Sequence, residues 1–195
     1  FRFVPNWKDT IANNKNIEKY MTLMCNKLND LYYGMAIKQV IDWYIETLGN
    51  TTIENNIISM QIALETLSYV VLVEQNKILT DEEFDENLSS TNIRMLLNFS
   101  KIPLGKEELY LFDEYIQNKF IDGVDIITYF RNKIVHPSRK RNKATLYVED
   151  MWNIIEIAIR YVELVILHII SYKGEYSNRL KQRSYGEVEL VPWNN

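Results

Sequence analysis

Residues 16–49, NIEKYMTLMCNKLNDLYYGMAIKQVIDWYIETLG, decide the class of fold. Apolar side chains at Tyr20, Leu23, Met24, Leu28, Leu31, Met35, Ile37, Val40, Ile41, Tyr44, Ile45 and Leu48 recur three or four positions apart. That is the repeat of a helix with one face turned to a core. Gly34, which costs a helix interior about 1 kcal/mol relative to alanine, marks a place where the helix can break. Gly49 and the polar run Asn50-Thr51-Thr52 predict its end.

The same period continues downstream. A helix over Ile53 to Asn76 carries Ile58, Ile62 and Leu72 on one stripe and Met60, Ala63, Leu64, Leu67, Val70 and Val71 around the rest, which predicts deep burial. Thr80 followed by Glu83 has the spacing of a capping box and opens a short helix that breaks at Ser89-Ser90-Thr91, with a further turn or two over 92–99. After Pro103 and Gly105 a helix runs from about Lys106 to Phe120. Asp122 caps the next one, Asp125 favours its first turn, and Val124, Ile127, Phe130 and Ile134 give it a core stripe up to Pro137. The last helix, from about Thr145 to Tyr172, is the most apolar, but Glu156, Arg160 and Glu163 disfavour a membrane span. It should lie centrally in a bundle or across a subunit interface. Residues 176–195 are polar, with one alternating piece, Val188-Glu189-Leu190-Val191, that can form a strand.

The totals agree with this pattern. A chain of 195 residues supports one domain, with its core over about 16–173 and a polar tail over about 174–195. An apolar fraction of 47% with 25% charged residues is that of a soluble globular protein. Six Gly and four Pro are too few for the frequent turns of a sandwich or barrel, so the expected class is all-α. A lone Cys25 excludes an internal disulfide or a cysteine metal cluster, and no signal peptide opens the sequence, so the expected location is cytoplasmic. The sequence begins at Phe1 rather than Met, which predicts a piece of a longer protein with an upstream domain.

Chemistry concentrates in residues 129–137, YFRNKIVHP. On a continuous helix Arg131 and His136 point about 140° apart, whereas Asn132 and His136 share a face, so Arg131 has to reach around. Pro137 disfavours the α conformation at His136 and turns it out of the helix. Histidine exchanges a proton near neutral pH, and arginine offers a planar fork that matches phosphate oxygens. Residues 131–143 hold Arg131, Lys133, Arg139, Lys140, Arg141 and Lys143 and no acid, a charge of +6 in a chain of −4. Basic character is therefore focused beside His136, and a phosphate-bearing ligand is the economical explanation.

Arg-Asn followed by three residues and His, late in a helical domain, resembles the signature of the HEPN superfamily. The resemblance implies an up-and-down helical bundle that forms a homodimer, bringing two motifs into one cleft. It implies RNA cleavage without a metal or other cofactor, with the 2′-hydroxyl as nucleophile. In that reading His136 is the general acid or base, Arg131 stabilises the charged transition state, and Asn132 orients the phosphate or the partner histidine. Lys133, Arg139, Lys140, Arg141 and Lys143 then bind RNA. Glu65 lies on the stripe of Ile58, Ile62, Tyr69 and Leu72, so it should be buried and paired, with Arg131 the expected partner. An acid in an early helix plus a later Arg-His pair is similar to the ApeA-like HEPN domains of bacterial anti-phage abortive-infection proteins. That similarity implies the effector of a defence protein.

Plainer readings stand beside these. Arg131 can form a surface or interface salt bridge, His136 can sit favourably at a helix C-terminus, Asn132 can hydrogen-bond locally, and Glu65 can be a structural ion pair. The run Arg139-Lys140-Arg141 can be a solvated loop. His168 is expected to be a packed histidine, because no second metal ligand stands at the right spacing. Trp43, Tyr44, Tyr69 and Trp152 read as packing, and Cys25 as a buried thiol. The alternative function is a non-catalytic HEPN module that binds nucleotide or RNA or serves dimerisation; a third is a structural interaction domain.

Overall fold

The computed structural model of the chain describes residues 15–49, 51–136, 148–181 and 188–194. It is all-α apart from a two-stranded ladder near the C-terminus. The expected long first helix is two: α1 (Lys15–Leu28) and α2 (Tyr33–Leu48). The break falls just before Gly34, where a Cβ would stand 2.5 Å from the Leu28 carbonyl oxygen, so only glycine lets the two helix ends approach. Asp30 holds the turn by accepting from the backbone N–H groups of Tyr32 and Tyr33.

Helix α3 (Ile53–Tyr69), capped by Thr52, passes into a π-helical stretch, Val70–Gln75. Among the described residues Ile53–Gln75 is the one helix long and apolar enough to cross a membrane. Most of it is buried inside the bundle, where it serves as a core helix. Its fully enclosed side chains are Ile57, Met60, Ala63, Leu64 and Leu67, whereas Ile58, Ile62, Glu65 and Tyr69 are half-buried.

The capping box of Thr80 and Glu83 opens α4 (Asp81–Glu86), as its spacing predicts. Ser89, expected in a break, instead begins α5 (Ser89–Phe99), because its side chain bonds back to α3 and the Leu88 carbonyl accepts from Thr91 and Asn92. The single helix expected over 106–120 is also divided. Lys106–Leu111 is 3₁₀, Phe112 is extended, and Asp113 accepts from the Ile116 N–H to start α6 (Glu114–Lys119). A side-chain cap at Asp113 outcompetes continuation of the helix.

Helix α7 (Gly123–Val135) begins under the Asp122 cap, and α8 (Val148–Ile169) is enclosed over most of its length. Helices α3 and α8 form the central pair; α2, α5 and α7 pack around them. The segment expected as a polar tail is part of the fold. Strands β1 (Glu175–Tyr176) and β2 (Glu189–Leu190) pair antiparallel, and Tyr176, Leu180 and Val191 are buried.

Charged residues on α8 explain why the tail docks. Arg160 pairs with Glu108 of the 3₁₀ segment at 2.6 Å, and Glu108 also accepts from the Tyr161 hydroxyl. Glu163 accepts from Arg179 at 2.7 Å and from the Tyr44 hydroxyl, while Glu156 lies 3.2 Å from Arg179. Arg179, with 1% of its side chain exposed, thus threads the C-terminal segment into a buried polar cluster.

Candidate functional site

Helix α7 positions the motif because both of its ends are fixed. At the start, the Asp122 carboxylate accepts the Asp125 N–H at 2.7 Å and is gripped by Arg94 through two bonds of 2.7 and 3.0 Å. Gly123 lies so close to α8 that an added Cβ would meet the Tyr161 hydroxyl at 2.5 Å. Val124, Ile126, Ile127 and Phe130 anchor the middle in the core.

At the other end the helix stops at His136, whose φ of −112° and ψ of 83° take it out of the α region. Its N–H still bonds to the Asn132 carbonyl at 2.9 Å, so the imidazole is presented at the end of the helix and is exposed. Exposed Asn132 lies one turn back on the same face, and its side-chain oxygen accepts from Arg131 Nη1 at 3.2 Å. That bond ties the half-buried guanidinium to its neighbour in sequence. The Arg131 Nε is buried and has no hydrogen-bond partner. Arg131, Asn132 and His136 thus lie in the last two turns of one helix, with exposed Lys133 among them. Arg139, Lys140, Arg141 and Lys143 lie outside the described residues.

Glu65 does not join this group. It is half-buried, and its carboxylate accepts from Gln61 at 2.8 Å and from the Ser89 hydroxyl rather than from Arg131. It borders a groove with Leu31, Met35 and Tyr69 that includes no residue of α7. The expected stripe was the wrong one: a helix apolar nearly all round gives little sign of which side faces the core, and the enclosed stripe here runs through Leu64 and Leu67. Cys25 also differs from expectation, being exposed because the buried face of α1 is carried by Met24 and its neighbours.

Two residues that the sequence reading left out of the site belong near it. Lys119, at the end of α6, donates to the Tyr129 hydroxyl at 3.1 Å, and both Lys119 and Lys133 stand over the Tyr129 ring at 4.4 and 4.8 Å. The two ammonium groups, Lys133 foremost, hold the Tyr129 phenol below the ordinary tyrosine range. The 129/133 spacing, one helical turn, was a signal available in the sequence; the approach of Lys119 was not. His168 is half-buried, set edge-on to Phe99 and Trp193, and burial lowers its pKa.

Comparison with known proteins places the chain in a family. The chain is 30% identical over 180 residues to the SPbeta prophage-derived uncharacterized protein YopA of Bacillus subtilis (strain 168). The alignment takes in 91% of this chain but 40% of the relative's length. No solved structure matches. The family model of the YopA C-terminal domain matches residues 30–190, from the turn between α1 and α2 through β2, and the chain belongs to that family.

Proposed function

We propose that this domain is a metal-independent RNA endonuclease of HEPN type, with a composite active site at a homodimer interface, acting in the cytoplasm as the effector of an anti-phage or abortive-infection protein. The observation that carries the reading is the turn of Arg131 onto Asn132, on the face from which His136 emerges. It gathers a fork for phosphate, an amide and a proton-exchanging group at one accessible helix end. The relative's prophage origin fits a role in conflicts involving phages.

In the reaction the RNA 2′-hydroxyl oxygen attacks the adjacent phosphorus. The P–O2′ bond forms as the P–O5′ bond breaks, leaving a 2′,3′-cyclic phosphate and a 5′-hydroxyl. One His136 takes the 2′-hydroxyl proton and the partner's His136 supplies a proton to O5′. Arg131 balances the added charge on the phosphoryl oxygens. Positioned acid–base help is worth about 10²–10⁴-fold and charge stabilisation commonly as much or more.

The test is cleavage of mixed cellular RNA in EDTA by the parent, His136→Ala and Arg131→Ala, matched for folding and oligomeric state. The expected result is cleavage by the parent and a loss of about 10²-fold or more in each variant. Equal inactivity of all three, with RNA binding retained by the parent, would replace the nuclease with a non-catalytic RNA-binding module.

A further inference from the structure

The polar face of α7 extends beyond the motif. Tyr129, Asn132, Lys133 and His136 fall at i, i+3, i+4 and i+7 and so line one side of the helix. Phe120 and Phe130 brace the Tyr129 ring from two sides, each with a centroid separation of 5.1 Å. Lys119 comes from a different helix and converges on the same phenol. Both lysines are exposed, and neither forms an ion pair among the described residues. Two ammonium groups therefore converge on one neutral phenol, both standing over its ring. Their mutual repulsion is relieved most directly by an anion seated between them, to which the phenol adds a hydrogen bond.

We propose that Lys119, Tyr129 and Lys133 form a phosphate-binding subsite that holds a backbone phosphate of the RNA strand a few nucleotides from the one facing His136. From Tyr129 to His136 the helix advances about 10 Å, and a stacked strand advances about 3.4 Å per nucleotide, so the two positions are a few nucleotides apart. That the phosphate is RNA's rests on the ribonuclease reading of the motif. The anion site itself rests on the two lysines and the phenol they share.

The probe is a short labelled single-stranded RNA, 2′-O-methylated throughout so that it cannot be cut, titrated against the full chain over a range of salt. Lys119→Gln with Lys133→Gln is expected to weaken binding roughly tenfold and to flatten the log–log salt slope by about 1.4, with an unchanged melting temperature. Lys119→Gln alone should give about half of the slope change, although it lies outside the motif. Unchanged affinity and slope in the double variant, or no binding of this RNA by the parent, would overturn the subsite. Cleavable RNA separates the two ideas. If the lysine variants lose binding while parent and His136→Ala are equally inert, the subsite stands without the nuclease. If cleavage depends on His136 while the lysine variants bind like the parent, the nuclease stands without the subsite.

Discussion

The two ends of the bundle treat charge in opposite ways. Around α8, Arg160 and Arg179 are enclosed and each is matched by carboxylates, Glu108 for the first and Glu163 with Glu156 for the second. At the end of α7, Lys119, Lys133 and Arg131 carry no ion pair among the described residues, and they neighbour exposed Asn132 and His136. Buried charge is tolerable only when paired, so the first group belongs to folding. Exposed Lys119 and Lys133, which form no ion pair among the described residues, cost little in water and are free to meet an anionic ligand, so the second group is where binding is to be sought.

Breaking the closed end should have the largest effect on stability. Arg179→Ala leaves Glu163 and the Tyr44 hydroxyl in an enclosed place without their guanidinium, a loss expected at about 3–5 kcal/mol. Equilibrium denaturation measures it. The comparison sharpens with Arg179→Met/Glu163→Met, which should recover much of that loss because the unpaired carboxylate is gone as well. A single-variant loss below about 1 kcal/mol would mean that the tail is not pinned by this cluster.

The contrast also sorts what the sequence displayed from what it hid. Local devices were legible: the Thr80–Glu83 box, the Asp122 cap on Asp125 and the break near Gly34 all depend on neighbours a few residues away. So was the exit of His136 from its helix, which the following proline dictates. Long-range pairing was not. Arg160 was readable as an interruption of α8, but its partner Glu108 stands 52 positions earlier, and Arg179 looked like one more polar residue of a tail. Glu65 failed for a different reason, since the apolar ring of α3 offered two plausible core stripes and the pairing with Arg131 followed from choosing the less buried one.

Gly123→Ala tests how tightly the two ends are joined. The new Cβ would lie 2.5 Å from the Tyr161 hydroxyl and 2.6 Å from Ile157 Cγ2, so either α7 or the Tyr161–Glu108 bond must shift. Overpacking of this kind costs about 1–3 kcal/mol, which for a chain of this size lowers the melting temperature by roughly 2–12 °C. If RNA binding falls along with stability, the closed end governs the position of the open one. A drop in stability with binding unchanged would make the motif end of α7 independent of its anchor.

The smallest expected effect separates the two histidines. His136 is open at the end of α7, whereas His168 is set between Phe99 and Trp193, and burial together with the nearby Lys101 lowers its pKa from 6.5. A lowered histidine pKa means that the unfolded chain binds a proton more readily than the folded one. Its contribution to stability is therefore complete above pH about 6.5 and is lost as the pH falls through the folded value. His168→Phe keeps a ring against both aromatic neighbours and removes the titration. Melting temperatures of parent and variant, followed downward from pH about 7, should diverge in the variant's favour once the pH passes below about 6.5. Parallel curves would show that His168 takes up its proton as readily in the folded chain as in the unfolded one, so that its place between Phe99 and Trp193 exacts no cost for the charge.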